Sequence, residues 1–322
     1  MIATLMAPDY SGVPAGIARE LRASAASVKL CRMPALILWP LAVVFLLFLA
    51  VSVLLYNAVQ MTSLLLLPIS PGAFRFVNRS CAGLWFSSLA LVLEKGLGVK
   101  FIQTGDSLPK RENAFVVANH QSGADIPALV VLAFRCRRAR DLKWFVKDVI
   151  KWIPGIGWGM LFLDCLFVKR NWSADKEKIL ATFDRLRTHQ VPFWILSFAE
   201  GTRLTPAKLK RSQEFERKAR LPVLNQVMSP RTKGFEATLE GLGGMVDAVY
   251  DITLGYENFP VGEVPGAMAL FFGGIRRVHL HVKRYPMGTL PLNREGRGQW
   301  ISERFTEKNA RLEDFRKSGR LG

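Results

Sequence analysis

Two short polar segments contain the residue types that acid–base chemistry and phosphate binding need, and each follows an apolar run. The first contains Asn119 and His120 directly after residues 115–118, with Asp125 five positions beyond the histidine. A carboxylate on one imidazole nitrogen fixes the tautomer and leaves the other nitrogen free to take a proton. The pair therefore suits deprotonation of a hydroxyl that attacks an acyl carbonyl.

The same segment is also typical of a helix start. Ser122 followed three residues later by Asp125, just before an apolar run, is a capping-box pattern. Capping and acid–base chemistry are compatible, so the spacing alone does not choose between them. The polar Asn119 and His120 at the end of the apolar run favour chemistry.

The second segment, Glu200-Gly201-Thr202-Arg203, follows an apolar run at residues 193–198. Glycine lets the backbone turn sharply after a strand. The Arg203 guanidinium can hold a phosphate through two hydrogen bonds. Taken alone, however, this segment is more typical of an ordinary β-turn with a surface ion pair.

Two more basic segments strengthen the anion-binding interpretation. Phe167-Val168-Lys169-Arg170 ends another apolar run, and residues 230–234, which include Lys233, precede a helix predicted to begin near Phe235. Free N–H groups and the macrodipole make helix N-termini favourable for anions. A solvated sheet edge and a basic surface loop are the alternatives. Three polar clusters at strand ends of one domain, two of them cationic, favour a phosphate site.

From about Lys100 onward, short apolar runs alternate with amphipathic stretches. This pattern predicts an α/β domain with a mainly parallel sheet flanked by helices. The predicted strands are residues 115–118, 162–168, 193–198, 246–256 and 277–285, and the predicted helices are 125–134, 174–189 and 297–317. Such folds place ligands at the carboxyl ends of their strands, where both polar segments lie.

Residues 33–74 contain no charged side chain, and one straight helix of this length would measure about 60 Å, twice the hydrocarbon thickness of a bilayer. We therefore expect a membrane hairpin that breaks at one or more of the following positions: Pro40, Asn57, Gln60, Pro68 and Pro71. Basic residues flank both ends, which favours the cytoplasmic side for both. The expected divisions are a polar lead-in at 1–32, the hairpin at 33–74, a connecting helix at 75–99, a globular catalytic domain at 100–296 and an amphipathic helix at 297–322.

The chain carries 44 Lys and Arg against 26 Asp and Glu, a formal net charge of +18. Nucleic acid and anionic lipid are the partners that such an excess favours. The hairpin favours lipid, and the bases and aromatics between 135 and 158 fit a membrane interface better than base stacking. We expect no nucleic-acid partner, although a non-catalytic membrane or RNA binder stays open as the alternative. His279 and His281 have no third ligand at suitable spacing, so no metal site is predicted.

In order and spacing, these motifs resemble the lysophosphatidic acid acyltransferase (PlsC-like) family of glycerolipid acyltransferases. Asn119, His120 and Asp125 match the first family motif, NHxxxxD; Phe167 and Arg170 match the second; Phe198 with residues 200–203 matches the third, FxEGTR. The strand at 249–253 lacks the proline of the fourth motif, a departure that bears on acceptor and acyl-chain preference. The resemblance covers residues from about 100 to 256.

The resemblance implies direct acyl transfer from acyl-CoA or acyl-carrier protein to the free hydroxyl of 1-acylglycerol 3-phosphate, giving phosphatidic acid. It makes His120 the general base and Asp125 its orienting partner, with no metal, cofactor or covalent intermediate. The implied substrate-binding residues are Asn119, Phe167, Arg170, Glu200, Gly201, Thr202, Arg203 and Lys233, of which Arg170, Glu200, Gly201 and Arg203 form the acceptor-phosphate site.

The resemblance also implies a membrane phospholipid environment. We expect the active site on the cytoplasmic face of a bacterial inner membrane or of the endoplasmic reticulum. Another lysophospholipid or an amino-acid lipid stays open as the acceptor.

Overall fold

The structure, a computed structural model, describes residues 34–169 and 172–322, and the lead-in at 1–32 lies outside the described residues. The helices are α1 (Ala35–Thr62), α2 (Pro71–Leu91), α3 (Asp125–Arg135), α4 (Ile156–Phe162), α5 (Trp172–Thr188), α6 (Pro206–Lys218), α7 (Thr232–Leu242), α8 (Met268–Phe271) and α9 (Arg294–Ser318). The strands are β1 (Lys100–Gly105), β2 (Ala114–Ala118), β3 (Leu142–Lys147), β4 (Leu166–Val168), β5 (Trp194–Phe198), β6 (Ala248–Gly255) and β7 (Arg277–Pro286). Residues 41–322 form one compact unit.

The described strands form one sheet in the order β1-β7-β6-β2-β5-β3-β4. Neighbouring strands are parallel except β6 and β7, which are antiparallel. This confirms the predicted fold class, a mainly parallel sheet flanked by helices. Ala118 of β2 pairs with Phe198 of β5 on one side and with Ile252 of β6 on the other. The carboxyl ends of these three strands therefore meet at one edge.

Helices cover both faces of the sheet. β2 and β6 are buried along their whole length, as expected of strands packed on both faces. One core cluster joins the sheet to α5, α7 and α9 through side chains that include Phe183, Phe235 and Phe305. Outside this cluster, α2 packs on α3, and Phe86 of α2 contacts Trp144 of β3 with ring centroids 5.3 Å apart.

The apolar N-terminal run forms two helices, divided at Ser63–Ser70 near Pro68 and Pro71. α1 continues through the other three expected break positions, and Asn57 and Gln60 bond to each other at 3.0 Å instead of ending it. α2 begins at Pro71, a position that favours proline, with Ser70 as its cap. It therefore extends past residue 74, through the region expected to be a separate connecting helix. Leu36–Leu66 and Pro71–Gly96 are each long and apolar enough, by length and composition, to cross a bilayer.

The strand pattern between β2 and β5 differs from the prediction in two places. The strand predicted at 162–168 is limited to Leu166–Val168, because α4 ends at Phe162. Within the stretch from 135 to 158, predicted to lie at a membrane interface, residues 142–147 form strand β3, which the sequence pattern does not predict. Lys143 and Trp144 are buried in that strand, and Lys143 Nζ donates to the carbonyl of Leu163 at 2.7 Å. Lys143 and Lys147 interrupt the apolar run of β3, so the sequence pattern does not indicate a strand there.

The last helix begins earlier than its apolar periodicity predicts. α9 starts at Arg294 because Asn293 Oδ1 accepts a hydrogen bond from the N–H of Gly296 at 2.8 Å. A side-chain oxygen at this position satisfies one of the free N–H groups of the first turn. α9 therefore begins before residue 297, where the C-terminal helix was expected to start.

Candidate active site

His120 and Asp125 form a hydrogen-bonded pair at the carboxyl end of β2. His120 follows this strand, Asp125 opens α3, and His120 Nδ1 lies 2.8 Å from Asp125 Oδ2. Asp125 is completely buried, whereas 17% of the His120 side chain is exposed. Within residues 34–169 and 172–322, His120 Nε2 has no hydrogen-bond partner. The arrangement holds one nitrogen against a buried carboxylate and leaves the other for a ligand.

Two more groups hold the Asp125 carboxylate. The N–H of Ser122 donates to Oδ2 at 2.8 Å, and the hydroxyl of Tyr256 donates to Oδ1 at 2.6 Å. Ser122 Oγ accepts from the N–H of Ala124. The carboxylate thus makes one half of a capping box and also binds the histidine, so both interpretations of this segment describe real contacts.

His120 is also held through its main chain and its ring. Its N–H donates to Glu200 Oε1, and its carbonyl accepts from the N–H of Leu204, both at 2.8 Å. The imidazole stacks on Phe198 with ring centroids 4.0 Å apart and planes 13° from parallel. The loop that follows β5 therefore fixes the position of the loop that follows β2.

Glu200 lies beneath the site rather than on its surface. Only 4% of the residue is exposed, and its two oxygens accept from the N–H groups of His120 and Met228. Burial raises the pKa of this carboxyl to about 8. The group joins the loops after β2 and β5 to the loop before α7, and its oxygens face protein N–H groups.

Two residues expected to bind substrate, Asn119 and Phe167, lie in different parts of the sheet. Asn119 is fully buried, and its amide donates to and accepts from the main chain of Leu254 at 3.0 and 2.7 Å. Phe167 lies in β4, three strands from β2 and therefore about 14 Å from it at the usual strand spacing. Arg170 lies outside the described residues.

Exposed cations lie along the turn after β5. Arg203 is exposed, and Lys208 Nζ donates to Thr202 Oγ1 at 2.8 Å and to the Arg203 carbonyl at 3.1 Å. Lys233 is exposed in the first turn of α7. Arg203 directly precedes Leu204, whose N–H binds the His120 carbonyl, so this basic rim borders the histidine.

Gly201 lets Arg231 pass close to this turn. The φ of Gly201 is +71°, and a Cβ on Gly201 would lie 2.9 Å from Cδ of Arg231. The Arg231 N–H also donates to the carbonyl of Ala199 at 2.7 Å. A side chain at position 201 would therefore strain the backbone and displace the arginine.

Two residues of the site, Tyr256 and Arg231, lie outside the sequence motifs, and Arg231 stands out only as part of a basic segment. Arg231 could be found from that segment, since it directly precedes α7. Tyr256 carries no motif signal, because its contact depends on β6 lying beside β2. Within the described part of the chain, three or more His, Cys, Asp or Glu side chains do not gather into a group that could hold a metal ion.

Two family comparisons cover most of the sheet domain. Residues 100–254 match the family described as Acyltransferase, and residues 269–322 match the family described as Acyltransferase C-terminus. The second match extends the similarity beyond residue 256, through β7 and α9.

Curated relatives are similar to this chain along most of its length. The chain is 33% identical over 284 residues to 1-acyl-sn-glycerol-3-phosphate acyltransferase 2 of Brassica oleracea, covering 87% of this chain and 71% of that protein. It is 31% identical over 273 residues to the human 1-acyl-sn-glycerol-3-phosphate acyltransferase gamma, covering 84% of this chain and 72% of that protein. It is 33% identical over 283 residues to lysocardiolipin acyltransferase 1 of Danio rerio, covering 86% of this chain and 71% of that protein.

A solved structure shares the fold. The crystal structure of the 1-acyl-sn-glycerophosphate acyltransferase PlsC from Thermotoga maritima matches with a TM-score of 0.51 at 19% identity, over 87% of this chain and 99% of that chain. The family matches and the identities above 30% define the family. The chain belongs to the 1-acyl-sn-glycerol-3-phosphate (PlsC-like) acyltransferase family, and it is an acyltransferase.

Proposed function

We propose that this acyltransferase moves a fatty acyl group from a thioester donor to the free hydroxyl of 1-acylglycerol 3-phosphate, producing phosphatidic acid. The donor is acyl-CoA or acyl-carrier protein. The observation that carries the proposal is the His120–Asp125 pair with a rim of exposed cations beside it; within residues 34–169 and 172–322, Nε2 of the imidazole has no hydrogen-bond partner.

His120 is the general base in this mechanism. Asp125 holds Nδ1–H, so Nε2 accepts the proton of the acceptor hydroxyl as its oxygen attacks the thioester carbonyl. The carbon–sulfur bond then breaks, and the imidazolium returns the proton to the departing thiolate. Asp125 stabilises the imidazolium between these steps. The acyl group passes directly to the acceptor, without a metal or a covalent enzyme intermediate.

The exposed cations bind the acceptor phosphate. Arg203 and Lys233, with Arg170, are the groups of suitable charge, and Arg231 lies against the glycine of the same turn. Guanidinium groups suit this task because they hold phosphate oxygens through paired hydrogen bonds. Phosphate binding next to His120 brings the glycerol hydroxyl within reach of Nε2.

Glu200, Asn119 and Gly201 act by positioning rather than by touching substrate. The oxygens of Glu200 and the amide of Asn119 bind protein main chain. Thr202 contributes its hydroxyl to Lys208 and so helps to hold the turn that carries Arg203.

The two apolar helices keep the enzyme in a membrane, with the active site on the cytoplasmic face. Exposed leucines, isoleucines and phenylalanines along α1 and α2 support this location, because monomeric soluble proteins rarely expose apolar surface of that size. The membrane is a bacterial inner membrane or the endoplasmic reticulum. An acceptor with one acyl chain is then already dissolved in the bilayer that holds the enzyme.

A different lysophospholipid is the second candidate acceptor. One relative, at 33% identity, is named a lysocardiolipin acyltransferase, so similar chains differ in the acceptor that their names give. Since lysocardiolipin also presents phosphate groups and a free hydroxyl, the same base and the same cations suit it.

An acceptor panel with purified full-length enzyme tests the proposal. Each acceptor is supplied with acyl-CoA and, separately, with acyl-carrier protein, and phosphatidic acid is expected as the main product. His120→Ala should lower kcat by about 100-fold to 10,000-fold, while the matched variant His189→Ala, at an exposed position after α5, should not. Full activity in the His120 variant would overturn the mechanism. If the parent enzyme acylates another lysophospholipid with a higher kcat/KM than 1-acylglycerol 3-phosphate, the second candidate acceptor is the right one.

A further inference from the structure

An apolar loop, residues 148–162, connects β3 to β4 and includes α4. Its large hydrophobic side chains point outward: Val149, Trp152, Ile153, Ile156, Trp158 and Leu161 are all more than a third exposed, and Trp152 is 73% exposed. Soluble surfaces carry scattered apolar residues but rarely so many within one short segment. This loop therefore needs a partner that is itself apolar.

The loop leaves the sheet at the edge that carries His120. Trp144 of β3 pairs with Leu196 of β5, and Ala118 of β2 pairs with Phe198. Extending this register places Lys147, the last residue of β3, level with Asn119. Two strand spacings separate β3 from β2, so the loop starts about 10 Å from the histidine segment.

The same loop packs against both apolar N-terminal helices. The N–H of Gly155 donates to Asn57 Oδ1 of α1 at 3.1 Å, and a Cβ on Gly155 would lie 3.2 Å from Val53 Cγ1. Phe162 packs edge-on against Phe74 of α2, with ring centroids 6.2 Å apart. The apolar surface of the loop is thus continuous with that of the helices proposed to enter the bilayer.

Cations and tryptophans border this surface in the manner of a membrane interface. Lys151 lies over the ring of Trp152, 5.4 Å from its centroid. A hydrogen bond from Lys151, aided by the charges of Lys178 and Lys169, lowers the pKa of Asp148, so the neighbourhood is basic. Tryptophan favours the headgroup region, and lysine favours anionic headgroups. A lipid leaflet fits both properties, whereas a second copy of this basic chain does not.

We propose that the apolar loop inserts into the same leaflet as the helix pair and holds the catalytic edge of the sheet against it. This inference rests on the proposed function, because its consequence concerns a lipid acceptor. A one-chain acceptor approaches His120 from within the leaflet, with its phosphate at headgroup level and its acyl chain still among lipids. The loop serves acceptors that are presented in a bilayer and contributes nothing to acceptors dissolved in water.

Kinetics with two acceptors tests this inference. Full-length enzyme in vesicles of phosphatidylcholine and phosphatidylglycerol receives either 1-oleoylglycerol 3-phosphate or the water-soluble 1-hexanoylglycerol 3-phosphate. The double variant Trp152→Glu/Ile153→Glu should raise KM for the oleoyl acceptor about tenfold and leave kcat and KM for the hexanoyl acceptor unchanged. Leu292→Glu, at a 91% exposed leucine outside the loop, is the matched control and should change neither. An unchanged KM in the double variant, or an equal loss with both acceptors, overturns the inference.

A second readout does not need activity. The fluorescence of Trp152 is obtained as the difference between the parent enzyme and Trp152→Phe, and vesicles that contain phosphatidylcholine brominated on its acyl chains should quench it. An unquenched difference signal overturns insertion of the loop. If the parent enzyme acylates neither acceptor while Trp152 is quenched, the proposed function fails and the membrane contact stands.

Discussion

The hydroxyl of Tyr256 donates a hydrogen bond to Oδ1 of Asp125 at 2.6 Å, while His120 Nδ1 lies 2.8 Å from Oδ2 of the same carboxylate. Burial, and then the neighbouring Asp125, raise the pKa of Tyr256 well above its usual value. The phenol therefore stays protonated and acts as a donor over the physiological pH range. Three residues from separate elements form one buried chain of hydrogen bonds that ends at the imidazole.

Replacing Tyr256 with phenylalanine should alter the pH dependence of catalysis. Without this donor the Asp125 carboxylate carries more negative charge toward His120 and holds the protonated imidazole more strongly. The acid limb of the kcat/KM profile should then move to higher pH, with kcat about tenfold lower and the acceptor KM unchanged.

Tyr250→Phe is the matched control for this variant. Tyr250 is also a buried tyrosine, but its hydroxyl bonds to Glu112 near the opposite end of β6. Its loss should reduce stability without moving the profile. Identical pH profiles for Tyr256→Phe and the parent enzyme would show that Tyr256 has a structural role alone.

Removing Arg203 or Arg231 should weaken acceptor binding. A hydrogen bond to a charged group contributes about 1.5–3 kcal/mol, so each alanine variant should raise the acceptor KM by about tenfold to 100-fold with a smaller effect on kcat. Arg187→Ala is the control, because Arg187 is an exposed arginine on α5 that pairs with Asp184. Steady-state kinetics over a range of acceptor concentrations measures the effect. If the acceptor KM of Arg203→Ala and of Arg231→Ala is no higher than that of Arg187→Ala, the proposed phosphate site is wrong.

Sequence alone could predict the His120–Asp125 pair, because both residues lie within one strand-to-helix connection. It could also predict the basic turn, whose charges are visible in the printed letters. It could not predict Tyr256, which lies far along the chain and reaches Asp125 only because β6 pairs with β2. Glu200 shows the opposite limit: its motif implies a ligand contact, but the turn after β5 directs its carboxyl inward to two N–H groups.

Glu200 should make stability depend on pH. Burial raises its folded pKa from 4.5 to about 8, so the folded protein keeps this proton to higher pH than the unfolded chain does. Stability is therefore fully present below the unfolded pKa and falls as pH rises from about 4.5 to about 8. In Glu200→Gln, the free energy of unfolding, measured with denaturant at several pH values, should fall less over this range. In Glu214→Gln, at an exposed position on α6, the free energy of unfolding should fall with pH as it does in the parent. Parallel curves for the parent and the Glu200 variant would contradict the shift.

A buried ion pair joins α9 to β6 at the centre of the sheet. Lys308 is fully buried, donates to the carbonyl of Ile252 at 2.7 Å and pairs with Asp251. Lys308→Met leaves the carboxylate buried without its counter-ion, which should cost about 3–5 kcal/mol of unfolding free energy.

A second substitution separates the ion pair from packing. Adding Asp251→Asn to Lys308→Met removes the uncompensated charge, so the double variant should lose less stability than the sum of the two single variants. Arg294→Met, at the start of α9, breaks an exposed pair with Glu240 of α7 and should cost much less stability than Lys308→Met. Denaturant unfolding of the four variants measures these values. If Lys308→Met costs no more than Arg294→Met, the buried pair does not hold α9 on the sheet, and packing around Phe305 and Phe315 must do so instead.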